Sequence, residues 1–270
     1  MNLSERELEE KYTALTEYLK DLGSAAVAFS GGVDSSVLLK AAKEALGENT
    51  AAITVQSVLL PSREFEETER FCRKYEIRQV VCPYDALSVN GLSENTKERC
   101  YLCKKSFFVK VKELAEEQGI RYILEGSNMD DENDYRPGMR AVKELGIISP
   151  LQKFGFTKAD VRLMAKEWEL SVWNKPSSAC LASRIAYGER ITGTKLSMIE
   201  QSEDYLHQAG FSQVRVRMHG GLARIEALPE QMAELVGQRE KITRELQKYG
   251  FTYVSVDLKG YRTGSMNEAD

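Results

Sequence analysis

Between residues 25 and 169 the chain alternates short apolar runs with longer amphipathic stretches, and this alternation restricts the fold more than any other feature. The apolar runs fall at 25–29, 51–55, 77–82, 121–124 and 146–151. Helical patterns follow them at 35–46, 63–75, 103–118 and 157–169, and an amphipathic helix over 4–22 precedes them, with Leu8, Tyr12, Leu15 and Leu19 on one face. Thr157 and Asp160 have capping-box spacing at the start of the last helix. Strands separated by helices pair in parallel through right-handed crossovers. Such a sheet takes its ligands at the carboxyl ends of its strands.

After residue 190 the pattern changes. A helix over 195–209 is followed by strands over 211–218 and 222–228 joined at Gly220-Gly221, then a helix over 230–248 and a strand over 252–258. The expectation is an α/β protein in which a Rossmann-like parallel-sheet domain, 1–188, precedes a small α-β-β-α-β substrate-binding domain, 189–270.

The chain has 270 residues, 42% of them hydrophobic, which is enough for a sizeable core. Its net charge of −4 disfavours a protein that coats nucleic acid. No stretch approaches the roughly 18 apolar residues of a membrane span, and the charged start lacks the apolar region of a secretory signal. A cytoplasmic location is expected, in which the five cysteines stay reduced and free for chemistry.

The loop after the first strand reads Ser30-Gly31-Gly32-Val33-Asp34-Ser35-Ser36. A strand-to-helix loop presents free N–H groups at the positive end of a helix, which suits phosphate. Gly31 and Gly32 allow close approach, and Ser30, Ser35 and Ser36 add hydroxyls. Asp34 makes sense beside phosphate when Mg²⁺ accompanies it. The loop lacks the Gly-Lys-Ser/Thr ending of a γ-phosphate-cleaving P-loop. Read blandly, it is a polar turn with Ser35 as helix N-cap.

This loop resembles the PP-loop of the ATP pyrophosphatase superfamily, whose members adenylylate a substrate oxygen, release pyrophosphate and let nitrogen or sulfur displace AMP. The resemblance implies that Gln56, at the end of the second strand, lies by the adenine and Gly126 near the nucleotide. Further stretches narrow it: Glu132-Asn-Asp-Tyr-Arg-Pro-Gly138, Trp173-Asn-Lys-Pro-Ser-Ser-Ala-Cys-Leu-Ala-Ser-Arg184, Tyr187-Gly188, Val214-Arg-Val-Arg-Met-His219, Ala223-Arg-Ile-Glu226 and the closing Gly260-Tyr-Arg-Thr-Gly-Ser-Met-Asn267. Together they resemble the LarE family over essentially the whole chain. The resemblance implies an ATP-dependent sulfur transferase that activates the carboxylates of pyridinium-3,5-biscarboxylic acid mononucleotide and makes thiocarboxylates for the nickel-pincer cofactor, as a homo-oligomer.

Cys180 matches the position that gives up its own sulfur in single-cysteine members of that family. Cys100 and Cys103 depart from the single-cysteine pattern and resemble a second branch, in which three cysteines hold a [4Fe–4S] cluster that carries the donor sulfide. A Cys-x-x-Cys pair with a distant third thiol matches three corners of a cubane and leaves one iron open. A zinc site would want four ligands with only His207 and His219 to add, and a Cys100–Cys103 pair passing a persulfide to Cys180 is a chemical alternative. Sacrificial chemistry at Cys180 stands beside that alternative, and three unconnected thiols are the bland one. Cys72 and Cys82 fall on core positions of a helix and a strand.

Strand alternation places Arg215 and Arg217 opposite Val214, Val216 and Met218, with Arg224 and Glu226 sharing one face of the next strand. These arginines, with Ser183 and Arg184, are expected to grip the substrate phosphate, against the alternative of a solvated face with one surface ion pair. Among the carboxylates Asp130, Asp131, Glu132 and Asp134, one is a candidate for a second Mg²⁺, and Arg136 for a phosphoryl oxygen; Glu203 and Lys104 are further recruits. The rivals are an amidating ligase, which lacks a glutaminase domain here, a tRNA thiolase, which lacks an RNA-binding appendage, and a nucleotide-binding regulatory protein. Expected ligands are therefore ATP, Mg²⁺, the cluster and a small carboxylate nucleotide, without stable nucleic-acid or membrane binding.

Overall fold

The chain opens with helix α1 (Leu3–Leu22) and the short strand β1 (Ala25–Ala28), whose small side chains are almost entirely buried. Strand β1 is flanked on both sides by parallel neighbours, β2 (Thr50–Gln56) and β4 (Tyr122–Leu124), and β3 (Arg78–Pro83) extends the sheet beyond β2. The computed structural model describes residues 3–133, 138–176, 179–262 and 264–267. They fall into two units: 1–57, 62–84 and 100–178 form the first, and 58–61, 85–99 and 179–270 the second.

In the first unit the strand order is β3-β2-β1-β4. Chain growth runs outward from β1 through β2 to β3 and then jumps back across to β4. The crevice at the carboxyl ends of β1 and β4 is therefore the topological switch point, where ligands bind in such sheets. Helix α2 (Val33–Leu46) follows β1, α3 (Ser62–Lys74) follows β2, and α4 (Arg99–Glu117) precedes β4. After β4 come α5 (Gly138–Glu144), α6 (Pro150–Lys153) and α7 (Lys158–Glu167). One core joins α1, α2 and α7 through Leu15, Leu19, Leu38, Val161 and Met164; another joins α4 and α5 to the sheet through Phe108, Val111, Ile123 and Val142. Fully burying a side chain such as Leu38 contributes about 1.5–3 kcal/mol.

Two expectations fail here. The apolar run 146–151 forms no strand, only an isolated parallel bridge from Ile148 to Leu124, because Pro150 at the first position of α6 turns the chain into a helical turn. Helix α2 begins at Val33, with Gly32 and not Ser35 as its N-cap, so the bland reading of Ser35 does not hold. The capping box at Thr157 and Asp160 is formed, with both reciprocal hydrogen bonds present. Cys72 and Cys82 are core residues, 3% and 1% exposed.

The second unit carries a three-stranded sheet in the order β5-β6-β7. Strand β5 (Val214–His219) pairs antiparallel with β6 (Leu222–Ala227), and β7 (Tyr253–Val256) lies parallel to β6. Helix α8 (Gly193–Gln208) packs on β5, starting from Thr192, whose hydroxyl accepts from the Lys195 N–H. The single helix expected over 230–248 is two, α9 (Met232–Gly237) and α10 (Arg239–Lys248), parted at Gln238 after a glycine that weakens helix propagation. At Gly260 the backbone is left-handed (φ +70°), and an added Cβ would lie 2.8 Å from the Ala227 carbonyl oxygen. The neighbouring Tyr261 N–H donates to that same oxygen at 2.7 Å.

Candidate functional site

In the first unit the loop between β1 and α2 lies at the switch point. Gly31 adopts a left-handed conformation (φ +71°), and a Cβ there would meet the Thr68 methyl at 3.0 Å. The Ser35 hydroxyl donates to the Gly32 carbonyl at 3.2 Å and lies 3.1 Å from the Ser30 hydroxyl. Ser36 is fully buried, and its hydroxyl has no hydrogen-bond partner among the described residues. Gly126, just beyond β4, presses on the loop: a Cβ there would sit 2.9 Å from Ser35 N and 3.2 Å from the Asp34 carbonyl carbon. Only glycine tolerates that approach, which joins the end of β4 to the start of α2.

Asp34 occupies the first turn of α2, where the helix dipole favours a carboxylate. One oxygen accepts from Asn128 Nδ2 at 2.9 Å, and the other is ion-paired with Lys158 at the start of α7. Asp130 accepts from the Lys158 backbone N–H at 2.7 Å, and Asp131 from the Asn128 N–H at 3.0 Å. Two of the carboxylates in the acidic run are thus engaged in fixing the loop beside Asp34. Glu125 is buried at the same sheet edge, accepting from the Ser127 N–H and hydroxyl and from the Ser149 hydroxyl, with Lys104 Nζ at 4.0 Å. Gln56 ends β2, exposed, with its carbonyl accepting from the Tyr84 N–H at 2.9 Å. Arg136 and Asp134 lie outside the described residues, as does the side chain of Glu132. A cavity of about 480 Å³ adjoins the loop, lined by Gly31, Ser36, Phe29, Phe71, Tyr75 and Lys175. Lys175 Nζ donates to the Gly31 carbonyl at 3.2 Å and pairs with Glu67 at 2.6 Å.

Cys100 and Cys103 stand one turn apart on α4, exposed and half-buried respectively. The Cys103 carbonyl accepts from the Tyr84 hydroxyl at 3.3 Å. Burial pushes the Cys72 thiol up to about 12 and also raises that of Cys82, so neither is a ready nucleophile. Cys180 belongs to the second unit and is half-buried. Among the described residues no three His, Cys, Asp or Glu side chains converge as a metal site.

In the second unit the arginines are not on a solvated face. Arg215 and Arg217 are 7% and 6% exposed, and Arg184 is 1% exposed. The register sets Arg217 against Arg224 and Arg215 against Glu226, so all four side chains share one face. Like charges directly opposite repel, and the fully buried Glu226 answers for both: it accepts from Arg217 Nε at 3.0 Å and from Arg224 at 3.1 Å, and Ser265 donates at 2.6 Å. Arg217 also donates to the Ser183 carbonyl at 3.3 Å, and the Arg215 guanidinium lies 5.4 Å from the Tyr261 ring centre. Burial, with the charge of Arg184, lowers the Arg215 pKa. Burial also lowers His219, with Arg224 adding to the effect.

Arg184 forms a bidentate pair with Glu203, at 3.0 and 3.1 Å, and its remaining arm holds the carbonyls of Ala179 and Cys180 and the Ser183 hydroxyl. Burial raises the Glu203 pKa, but the charge and hydrogen bonds of Arg184, then Arg215 and the Val216 N–H, outweigh it and hold the carboxyl below its ordinary value. Sequence reasoning missed Asn95, Lys158 and Asn128. Asn95, fully buried, donates to the Ile185 and Ala186 carbonyls at 3.2 and 2.8 Å and accepts from Arg99.

A family model described as a PP-loop domain matches residues 4–136. Over 262 residues the chain is 37% identical to the pyridinium-3,5-bisthiocarboxylic acid mononucleotide synthase of Lactiplantibacillus plantarum, covering 97% of this chain and 95% of that protein. The chain belongs to the LarE family. A second relative, the uncharacterized protein slr1717 of Synechocystis, is 38% identical over 96% of this chain and 98% of its own. A glutamine-hydrolysing GMP synthase of Petrotoga mobilis is 32% identical over 40% of this chain and 22% of that protein, so the likeness there is confined to a part of each. This LarE-family chain is accordingly an ATP-utilising, sulfur-transferring enzyme with an α/β PP-loop domain. Among the described residues no helix is long and apolar enough to cross a membrane.

Proposed function

We propose that the chain adenylylates a carboxylate of pyridinium-3,5-biscarboxylic acid mononucleotide and replaces the activated oxygen with sulfur. The observation that carries this is the 37% identity, over nearly all of both chains, to a synthase of the bisthiocarboxylic product. The phosphate loop supports the first half-reaction. Gly31, Gly32 and the start of α2 offer backbone N–H groups, the buried Ser36 hydroxyl has a donor to spare, and Asp34 is a hard oxygen ligand suited to Mg²⁺ beside phosphate. When bound, Mg²⁺ supplies neutralisation of polyphosphate charge. A substrate carboxylate oxygen attacks the α-phosphorus, the bond to the β-phosphate oxygen breaks, and pyrophosphate leaves. A sulfur nucleophile then attacks the acyl carbon and AMP departs. The loop's part is positioning and charge stabilisation. Gln56 and Gly126 flank the nucleotide in this assignment, and Arg136 is assigned a phosphoryl oxygen.

Arg215, Arg217 and Arg224, with Ser183, are assigned to the mononucleotide phosphate. Arg217 and Arg224 share Glu226, and Asp257, 3.6 Å from Arg224, is itself shared with Arg262, so guanidinium charge exceeds carboxylate charge here and favours an added anion. Arg184, tied to Glu203 and to the Ala179 and Cys180 carbonyls, would act from behind by fixing the Cys180 segment. For the sulfur source we favour a [4Fe–4S] cluster on Cys100, Cys103 and Cys180: two accessible thiols one helical turn apart suit neighbouring corners of a cubane. When bound, the cluster would supply an open iron for the donor sulfide. The enzyme is assigned to the cytoplasm as a homo-oligomer.

The test is anaerobic incubation with ATP, Mg²⁺ and the biscarboxylate nucleotide, following pyrophosphate, AMP and product mass. Substrate-dependent pyrophosphate with a gain of sulfur for oxygen is expected. No pyrophosphate above the ATP-only control would sink the proposal. Iron and sulfide in the purified protein, lost in Cys100→Ala, separate the cluster from a Cys180 that leaves the protein lighter by one H₂S.

A further inference from the structure

We infer that Lys158 is an exchangeable counter-ion of the phosphate loop: its pairing with Asp34 gives way when the polyphosphate arrives and that carboxylate takes the metal. This rests on the nucleotide site proposed above and adds a residue that lies outside the loop pattern, at the start of α7. Lys158 is the first residue of α7, where a helix's own dipole disfavours a cation. Its helix does not need it there: Thr157 and Asp160 already cap the first turn, and Asp130 satisfies the Lys158 N–H. The side chain instead reaches across to the first turn of α2 and pairs with Asp34.

The pair is only partly exposed, Lys158 at 31% and Asp34 at 22%, and Asn128 Nδ2 fixes the other carboxylate oxygen at 2.9 Å. Asp34 is thereby oriented by Asn128, and its charge is balanced by Lys158. Two groups compete for the same carboxylate oxygen: a flexible ammonium and an incoming divalent ion. The ion brings two charges and polyphosphate oxygens with it, and an ammonium on a four-carbon stem can swing from carboxylate to phosphate without moving α7. Lys158 thus ends on the polyphosphate whose arrival released it, placed between the N-termini of α2 and α7, both of which favour an anion. No bond is made or broken in the exchange, and only ion pairs change partners.

The consequence is opposite in sign for metal and for nucleotide. Without nucleotide, replacing Lys158 with an uncharged side chain frees Asp34 and tightens metal binding; with nucleotide, the same replacement removes a phosphate contact and weakens binding. The experiment titrates Mn²⁺ by electron paramagnetic resonance into the full chain as wild type, Lys158→Met, Lys158→Arg and Asp34→Asn, without nucleotide. It then measures the affinity of α,β-methylene-ATP with Mg²⁺ by calorimetry. In Lys158→Met, Mn²⁺ is expected to bind about threefold to fivefold tighter, the range open to a partly exposed ion pair. The analogue should bind about tenfold weaker. Lys158→Arg restores both toward wild type, and Asp34→Asn loses the Mn²⁺ site. Unchanged or weaker Mn²⁺ binding in Lys158→Met, an analogue affinity that does not move, or Mn²⁺ binding indifferent to Asp34→Asn each overturn the exchange. If wild type itself fails to bind the analogue, the nucleotide site falls instead. Circular dichroism melts of each variant identify any that misfold, and the uncharged Lys158→Gln, with the same two expected shifts, keeps the test decisive if Lys158→Met does.

Discussion

Glu203→Gln tests whether the second unit is built around a buried ion pair. Glu203 and Arg184 are each 1% exposed, and the carboxylate takes two guanidinium hydrogen bonds and the Val216 N–H. An amide keeps the shape but leaves Arg184 with an uncompensated buried charge, and it turns an NH₂ toward a donor. Removing one partner of such a pair costs about 3–5 kcal/mol. At about 2–4 °C per kcal/mol for a chain of this size class, the melting transition should fall by roughly 6–20 °C. The pH dependence adds a second readout. The folded carboxyl is held below its ordinary value of 4.5, so its contribution is fully present above pH 4.5 and is lost as pH falls through the lower folded value. Wild type should therefore lose stability on acidification over that window, while Glu203→Gln, with nothing to titrate there, should lose less. Urea unfolding of both proteins between pH 7 and pH 3 measures both effects. A loss below about 1 kcal/mol at pH 7, the range of an exposed pair, would refute the assignment of Arg184 as a buried anchor of the Cys180 segment.

Three further outcomes are expected. Gly126→Ala places a methyl 2.9 Å from Ser35 N, against backbone and not a flexible side chain, and should cost about 1–3 kcal/mol of stability together with at least tenfold in nucleotide affinity, by urea titration and calorimetry. Arg217→Ala strands Glu226 with one guanidinium partner fewer and should raise the KM for the mononucleotide substrate more than it lowers kcat, in steady-state pyrophosphate assays. Thiol labelling of the folded, iron-free chain at pH 8 should modify Cys100 first and leave Cys72 untouched until urea is added, read by peptide mass, since Cys72 is buried with its pKa pushed up to about 12.

What was legible in the sequence was whatever depends on local pattern. The alternation of runs and helices was enough for the parallel sheet, because burial on a strand and on a helix face each leave a period in the chain. Gly31 of the phosphate loop was legible because its left-handed backbone (φ +71°) favours glycine. Where a local pattern was compatible with two outcomes, tertiary context decided: 146–151 is apolar enough for a strand, yet Pro150 starts a helical turn and only Ile148 bridges to β4. The alternation on β5 gave its two faces correctly and left their environment open. Period two says which residues share a face, not whether that face is wet, and here Arg215 and Arg217 are buried because Glu226 and the carbonyls of Ser183 and Val214 accept their donors.

Lys158 and Asn128 carry no such signature, since nothing in the sequence near either residue points to Asp34 more than 90 positions away. Their role is set by the packing of α7 beside α2 and by the turn after β4, two long-range outcomes of the sheet order. The same logic explains why Asp130 and Asp131 read as a solvated charge run and yet are spent on backbone N–H groups of the site's own frame. A carboxylate that caps a loop is poorly placed to leave it for a metal. Asp34, whose partners are one amide and one flexible ammonium, is the carboxylate on which the proposed exchange of partners rests.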